Sequence, residues 1–239
     1  MPVSDIILYK PTLTEFETTD SLYRFLANSL EEKILTYEAE HGVVRLLLAG
    51  GQTPLPLYKY LGQKSSTPWD SVEIYQSDER FIDTISNDSN QKLIAGSLGQ
   101  DTLELCRSVN FFQTDSTIEA SLEDYQERLE SLDGVWFDLA IIGIGPDGHF
   151  ASLFPGGDYL RHQEVGVLAT TAPDSMPITE RLSLTIESVL NTREIIVILS
   201  TPEKELVLSE LMEGSLRASQ FPAKFLLTHP KVRIYFCLQ

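Results

Sequence analysis

The sequence is poor in cysteine and has no long apolar run. Its 239 residues include only two cysteines, Cys106 and Cys237, which lie far apart and match no metal-binding spacing. A chain without a framework of paired cysteines is typical of a reducing compartment. The N-terminus lacks the basic and then apolar pattern of a signal peptide, and no apolar run approaches the roughly 20 residues that span a bilayer. These absences predict a cytoplasmic protein with no membrane partner.

Positive charge is also scarce. The chain has 18 Lys and Arg residues against 35 Asp and Glu residues, which gives a net charge of −17. Nucleic acids and anionic membranes bind basic surfaces, so neither is an expected partner. An anionic small molecule would have to be attracted by a local group of cations, against the overall field. The sequence does not distinguish a monomer from a dimer.

The chain does contain short apolar runs that alternate with helical patterns. This alternation predicts one domain, residues 1–239, built as a doubly wound, mainly parallel α/β sheet flanked by helices, in the Rossmann-like manner. Strands are predicted at residues 6–9, 43–48, 72–76, 109–112, 139–142, 165–171, 181–185, 195–199 and 232–236. Helices are predicted at residues 14–40, from 54 past 61, and at 118–132, 186–190, 203–212 and 222–227.

One of these strands ends in a glycine-rich turn that carries Asp147 and His149. In open α/β sheets, ligands bind at the carboxyl edge of the strands, which is where this turn is expected. No second histidine or cysteine lies at ligand spacing, so a zinc site is not expected. A serine in the G-x-S-x-G pattern of serine hydrolases is also missing. A structural histidine remains the alternative to a catalytic one.

The same stretch contains a pattern that suggests a dinucleotide site. Residues 143–148 satisfy G-x-G-x-x-G after a strand. However, the pattern lies in the middle of the domain, and the glycines and proline that follow it cannot supply the long helix behind a pyrophosphate. No acidic ribose-binding residue ends a second strand about 20 residues on. Dinucleotide binding is therefore a weak alternative.

Two other strand ends carry polar or glycine-rich segments. Gly50 and Gly51 follow the second strand, with Thr53 expected as N-cap and Pro54 as first residue of a helix. Backbone N–H groups at such a turn can bind phosphate, although an ordinary strand–helix turn is equally compatible with these residues. Residues 78–80, Asp-Glu-Arg, follow the third strand and are either a solvated loop or part of the same edge.

Taken together, these segments resemble a known family. Residues 138–155 are similar to the signature of the 6-phosphogluconolactonases, which share a superfamily with the glucosamine-6-phosphate deaminases. Residues 50–54, 77–80 with 89–90, 181–185 and Lys204 match further family segments in the same order. The resemblance implies a fold of the sugar-phosphate isomerase type. It also implies hydrolysis of 6-phospho-D-glucono-1,5-lactone to 6-phosphogluconate without metal or cofactor.

The resemblance also implies roles for individual residues. His149 would be the general base that activates water, with Asp147 orienting its ring. Arg80 would bind the developing oxyanion or ring hydroxyls, and Asp78 would hold sugar hydroxyls or orient Arg80. The substrate phosphate would bind Gly50, Gly51, Thr53, Arg181 and Lys204. The family usually has glycine in the turn before the lysine, where this chain has residues 200–202, Ser-Thr-Pro.

One position separates the two branches of the superfamily. The deaminases carry a catalytic glutamate seven residues after the aspartate of the motif, and this chain has Phe154 there. Phe154 therefore favours the lactonase over the alternative of a glucosamine-6-phosphate deaminase. A further alternative is a sensor that binds sugar phosphates without catalysis, which would not need His149 or Arg80.

Overall fold

The computed structural model describes residues 8–162 and 164–238. Within these ranges, seven parallel strands form the main sheet, and three antiparallel strands form a smaller one. In chain order the strands are β1 (Thr12–Phe16), β2 (Val44–Leu48), β3 (Val72–Gln76), β4 (Asp78–Arg80), β5 (Ser108–Asn110), β6 (Phe137–Gly143), β7 (Val167–Thr171), β8 (Glu180–Leu184), β9 (Thr192–Leu199) and β10 (Val232–Cys237). The main sheet has the order β1-β10-β9-β6-β2-β3-β5, and the small sheet has the order β4-β8-β7.

Helices cover both faces of the main sheet. They are α1 (Thr19–His41), α2 (Leu55–Gly62), α3 (Asn90–Leu98), α4 (Gln100–Leu105), α5 (Ile118–Glu130), α6 (Ile186–Leu190) and α7 (Glu205–Glu213). Helix α1 begins at Thr19 rather than at residue 14, and the Thr18 side chain caps it by accepting a hydrogen bond from the N–H of Ser21. Within the described ranges, no helix is both long and apolar enough to cross a membrane.

The sheet separates two apolar cores, which explains why its central strands read as continuous apolar runs. Along β6, Leu139 and Ile141 pack into the core under α1, α2 and α3, whereas Ala140 and Ile142 pack into the core on the other face. Successive side chains of a strand point to opposite faces, so a strand buried on both sides needs apolar residues throughout. The predicted α/β class and the mainly parallel sheet are confirmed.

The first strand was predicted at the wrong place. Residues 6 and 7 lie outside the described residues, and Leu8 and Tyr9 are not in a strand. The strand is β1, which pairs with β10 at the edge of the sheet. Most of its side chains are exposed or only partly buried, so it lacks the apolar run used to recognise strands. Phe16, which fitted the periodicity of the following helix, ends this strand instead.

The small sheet was not predicted as a sheet. Residues 78–80 read as a charged loop, but they form β4 and pair antiparallel with β8, with Asp78 opposite Ser183 and Arg80 opposite Arg181. A three-residue strand of charged side chains has no apolar periodicity that would reveal it. The pairing turns Asp78 and Arg80 to one face of the small sheet and Glu79 to the other.

The order of the main sheet fixes where a ligand can bind. After β2, the chain adds β3 and β5 on one side, and it then returns to add β6, β9 and β10 on the other side. The crevice between the ends of β2 and β6 is thus the point where the winding reverses, which is the usual ligand site of this architecture. The glycine-rich turns after Leu48 and after Ile142 both open into this crevice.

We expect Tyr125→Phe to lower the free energy of unfolding by about 1–3 kcal/mol, because it removes a buried hydrogen-bond partner. The hydroxyl of Tyr125 accepts from the N–H of Gln76 and donates to its carbonyl oxygen, each at 2.8 Å. Urea unfolding measures the change. Tyr37→Phe is the control, since it removes the same hydroxyl group from a tyrosine that is only half-buried and makes its contact through the ring, which stacks on His41. Equal effects in the two variants would contradict this account of the end of β3.

Candidate active site

A cleft of about 180 Å³ opens at the reversal point between β2 and β6. Its walls come from four segments of the chain: the turn after β2, strand β4 with the start of α3, the turn after β6, and the turn before α7. The lining residues are Ala49, Gly50, Gly51, Gln52, Thr53, Asp78, Arg80, Asn90, Gly143, Ile144, Gly145, His149, Ala151 and Lys204. Seven of the nine site residues predicted from the sequence belong to this lining, and Asp147 and Arg181 do not.

Asp147 nevertheless belongs to the site through His149. Its Oδ1 lies 2.5 Å from Nδ1 of His149 and also accepts a hydrogen bond from the His149 N–H at 3.2 Å. Burial opposes ionisation of Asp147, but the side-chain bond to His149, the charge of that ring and the backbone N–H donors together outweigh it, and the pKa of Asp147 is lowered. A carboxylate on Nδ1 fixes the proton there in a neutral ring, which leaves Nε2 as a base. No described residue hydrogen-bonds Nε2.

Two neighbours hold the His149 ring from its sides. The ring of Phe154 lies 4.8 Å from it, centroid to centroid, at an angle of 42°. Gly145 packs against its edge so closely that a Cβ there would lie 2.1 Å from Cε1 of His149. The Gly145 N–H donates to the His149 carbonyl oxygen at 2.8 Å. The ring is therefore confined in position and orientation.

Asp78 is held in place by hydroxyl and amide donors. Its Oδ1 accepts from the hydroxyl of Ser77, and its Oδ2 accepts from the hydroxyl of Ser152, each at 2.8 Å. Nδ2 of Asn90 donates to the Asp78 carbonyl oxygen at 3.0 Å. Ala151, just before Ser152, has a φ of 48°, a left-handed conformation that is rare for alanine. The turn after β6 is thus bent so that Ser152 reaches the opposite wall.

Glu79, on the other face of β4, joins this wall to α3. Its carboxylate accepts hydrogen bonds from the N–H groups of Asn90, Gln91 and Arg80 at 2.6–2.7 Å, and from the side chain of Gln76 at 2.9 Å. Burial raises the pKa of Glu79, and these donors oppose the shift. A buried carboxylate with this many donors sets the backbone between β4 and the start of α3.

Arg80 and Arg181 lie opposite each other in the small sheet, but only Arg80 lines the cleft. Nη1 of Arg80 donates to the Asp88 carbonyl oxygen, so Asp88 rather than Asp78 orients it. Arg181 is 5% exposed; its Nη2 lies 3.8 Å from Sδ of Met176, and its Nε and Nη1 have no described partner. Burial lowers the pKa of Arg181, and the charge of Arg80 adds to that effect.

The turn after β2 is fixed by two tyrosine hydroxyls. Tyr58 donates to the carbonyl oxygen of Ala49 at 2.7 Å, and Tyr23 donates to that of Thr53 at 2.5 Å. Gly51 has a φ of 77°. No described acceptor meets the N–H groups of Gly50, Gly51 and Thr53. These donors are thus available to a bound anion.

The predicted start of the helix after this turn was wrong by one residue. Helix α2 begins at Leu55, and Pro54 rather than Thr53 occupies the N-cap position, with φ −83° and ψ −13°. Proline supplies the helical φ but offers no hydroxyl to cap the helix. The Thr53 carbonyl oxygen is used by Tyr23 instead, which explains why this residue lies in the turn.

Lys204 reaches the cleft from the far side of β6. It ends the short 3-10 helix Pro202–Lys204, which runs directly into α7, so the α-helix predicted from about residue 203 begins at Glu205. Its Nζ donates to the Ile144 carbonyl oxygen at 2.7 Å. Burial lowers the pKa of Lys204, and the charge of Asp147 opposes this shift. The departure at residues 200–202 thus leaves the ammonium group on the cleft.

Sequence reasoning missed several residues that shape the cleft. Asn90, Ser152, Tyr23 and Tyr58 were not predicted as site residues, although each bonds to a wall segment. No local pattern marks them, because their partners lie between 9 and 74 positions away in the chain. Among the described residues, no group of three or more His, Cys, Asp or Glu side chains is arranged to hold a metal ion.

The doubly wound sheet and the cleft at its reversal point define an α/β protein that binds ligand at the carboxyl edge of its strands. A family model described as "Glucosamine-6-phosphate isomerases/6-phosphogluconolactonase" matches residues 17–234, and the chain belongs to this family. A 6-phosphogluconolactonase of Thermotoga maritima is 30% identical over 196 residues, covering 82% of this chain and 87% of the relative. A probable 6-phosphogluconolactonase of Dictyostelium discoideum is 27% identical over 232 residues, covering 94% and 95%.

Solved structures agree with this assignment. A 6-phosphogluconolactonase from Shewanella baltica superimposes with a TM-score of 0.84 at 27% identity, covering 97% of this chain and 99% of that one. A monomeric glucosamine-6-phosphate deaminase superimposes with a TM-score of 0.78 at 20% identity, covering 95% and 100%. At that identity the second likeness concerns the fold alone. The two branches of the family therefore have to be separated by individual residues.

We expect Gly145→Ala to displace the His149 ring, because a methyl group would lie 2.1–2.2 Å from Cε1 and Nδ1. The bond from Nδ1 to Asp147 should break. Long-range ¹H–¹⁵N spectra of the histidine rings should show changed signals for His149 and unchanged signals for the other histidines. Gly96→Ala is the control, since a Cβ there meets nothing within 4 Å. An unchanged His149 signal in folded Gly145→Ala would refute the predicted displacement.

Proposed function

We propose that the chain is a 6-phosphogluconolactonase, a carboxylic ester hydrolase that converts 6-phospho-D-glucono-1,5-lactone to 6-phospho-D-gluconate in the oxidative pentose phosphate pathway. Family membership and the curated relatives named as 6-phosphogluconolactonases support this activity. The observation that carries the proposal is the contact of two rings, His149, which lines the cleft, and Phe154, which packs against it. The first supplies a base, and the second occupies the position of the deaminase glutamate.

In the proposed reaction, Nε2 of His149 takes a proton from water as the water oxygen attacks the lactone carbonyl carbon. Asp147 holds the ring through Nδ1 and stabilises the imidazolium that forms. Arg80 stabilises the oxyanion of the tetrahedral intermediate. When the bond from carbon 1 to the ring oxygen breaks, the imidazolium returns its proton to that oxygen, and the product acid ionises. Asp78 accepts hydrogen bonds from sugar hydroxyls. The reaction uses no metal and no cofactor.

The substrate phosphate is proposed to bind at the turn after β2. The N–H groups of Gly50, Gly51 and Thr53 have no acceptor among the described residues, and these three residues line the same cleft as Lys204, which supplies a cation. Charge-assisted hydrogen bonds of this type bind phosphate strongly. Arg181 acts as a second countercharge from the strand position next to Arg80, because it is buried there and its Nε and Nη1 have no partner among the described residues. This local group of cations answers the problem of binding an anion to an acidic protein.

A deaminase is the main competing function. It would need a carboxylate at position 154, where an apolar ring packs on His149. A sugar-phosphate sensor would need neither the His149–Asp147 pair nor Arg80. One experiment separates the three: acid release from freshly made 6-phosphogluconolactone is followed against the spontaneous rate, while ammonia release from glucosamine 6-phosphate is assayed in parallel. Ammonia release, or no acceleration of either reaction, would overturn the proposal.

We further propose one domain over residues 1–239, working in the cytoplasm as a monomer or dimer and without nucleic acid. The family match over residues 17–234 and the net charge of −17 support this description.

We expect His149→Ala to reduce lactone turnover by roughly 10²–10⁴-fold, the usual contribution of a general base. Stopped-flow detection of acid release at neutral pH measures the rate, and circular dichroism checks the fold. His162→Ala removes an exposed histidine outside the cleft and should keep full activity. Near-normal turnover in folded His149→Ala would exclude His149 as the base.

We expect Lys204→Ala to raise KM for the phosphorylated lactone by roughly 10–100-fold, the effect of losing one charge-assisted hydrogen bond. Turnover of unphosphorylated glucono-1,5-lactone should change little. Lys231→Ala controls for net charge, since it removes an exposed charge just before β10, at the amino ends of the strands and away from the cleft. Equal losses on both lactones would show that Lys204 does not bind phosphate.

A further inference from the structure

Asn90, the first residue of α3, lines the cleft but has no part in the function proposed so far. It is 2% exposed. Its Nδ2 donates to the Asp78 carbonyl oxygen at 3.0 Å and lies 3.4 Å from Oδ2 of Asp78. The reverse orientation of the amide would place its oxygen against two oxygens. The orientation is therefore settled by Asp78, and Oδ1 of Asn90 must face away from that residue.

Oδ1 of Asn90 is a buried acceptor without a partner in the described chain. Such groups are rare in folded proteins, and each calls for a specific explanation. The position of this oxygen is known from Gly50, since a Cβ on Gly50 would lie 2.2 Å from it. Gly50 and Asn90 both line the cleft. The oxygen thus lies where the proposed phosphate end of the cleft meets the Asp78 wall.

The residue is also held too firmly to find a partner by moving. Its N–H donates to Glu79 at 2.6 Å, and its side chain fills the space against Gly50 that any Cβ would need. An amide carbonyl oxygen repels phosphate oxygens and accepts only from donors. In a sugar-phosphate lactone, the donors are the ring hydroxyls.

We propose that Oδ1 of Asn90 accepts a hydrogen bond from one ring hydroxyl of the substrate, and that Asn90 thereby selects lactones carrying that hydroxyl. The inference rests on the proposed lactonase function and adds a specificity residue to it. A site built to bond a hydroxyl rejects analogues lacking it, because its own polar group is then left buried and unpaired. Asn90 would couple the choice of sugar to the placement of Asp78.

The test compares Asn90→Ala with the unaltered protein on 6-phosphogluconolactone and on its 2-deoxy, 3-deoxy and 4-deoxy analogues. For the hydroxyl that Asn90 binds, removal from the substrate should lower kcat/KM of the unaltered protein by about 10–100-fold. The same removal should change kcat/KM of Asn90→Ala by less than about threefold. The other two deoxy lactones should lose the same factor with both proteins.

A purely positioning role would give a different result. If Asn90 acts only by holding Asp78, which itself contacts sugar hydroxyls, the discrimination lost in Asn90→Ala will be lost in Asn90→Asp as well, because both variants lose the donor to Asp78, and the proposal is overturned. A uniform loss of kcat/KM on all four lactones in Asn90→Ala would also overturn it. Gln91→Ala is the matched control: Gln91 is the next residue, its Oε1 is also buried without a partner, and it does not line the cleft. Gln91→Ala should leave unchanged the ratio of kcat/KM on 6-phosphogluconolactone to kcat/KM on each deoxy analogue. If Gln91→Ala lost the same discrimination as Asn90→Ala, the proposal would also be overturned.

Asn90→Asp is the second variant of the test, and it replaces Asn90→Ala if that variant does not fold. It keeps an acceptor at Oδ1 and loses the donor to Asp78, so overall activity should fall while discrimination against the critical deoxy lactone persists. Loss of that discrimination would overturn the proposal. A failure of the lactonase assignment looks different, because the unaltered protein would then hydrolyse none of the four lactones above the spontaneous rate.

Discussion

The buried carboxylate of Glu79 joins the segments that form one wall of the cleft. Through one side chain it holds the end of β3, strand β4 and the first turn of α3, and so it sets the positions of Arg80 and Asn90. Removing it would leave several backbone donors buried without acceptors. A group with this effect need not touch the substrate: it fixes the framework to which the reacting residues are attached.

The architecture could be read from the sequence because the central strands are buried on both faces. Short apolar runs mark β2, β6 and β9 whatever their register in the sheet. The errors fell on elements without such runs: β1, which is an exposed edge strand, and β4, whose three residues are all charged. These strands exist because neighbouring strands offer them backbone partners, and no local pattern in the sequence records that.

Individual site residues were predictable where a turn joins a strand end, as at Gly50, His149 and Lys204. The connections between walls were not, because they are made by side chains from distant positions. Asn90 illustrates the difference: it belonged to a segment that resembled the family, but only the structure shows its oxygen facing Gly50 and its nitrogen facing Asp78. Asp147 illustrates the opposite case, since the family resemblance alone implied its contact with His149, and the structure has the two side chains 2.5 Å apart.

The residues that line the cleft lie between positions 49 and 204 of the chain. The two strands at its centre, β2 and β6, are neighbours in the middle of the main sheet. A folding intermediate that has paired β2, β3 and β5 alone has one wall and no opposite wall. The binding site therefore appears only when β6 and the turn before α7 have been added. A ligand that binds this completed cleft stabilises the whole sheet relative to every partly folded form, by an amount that grows with its concentration.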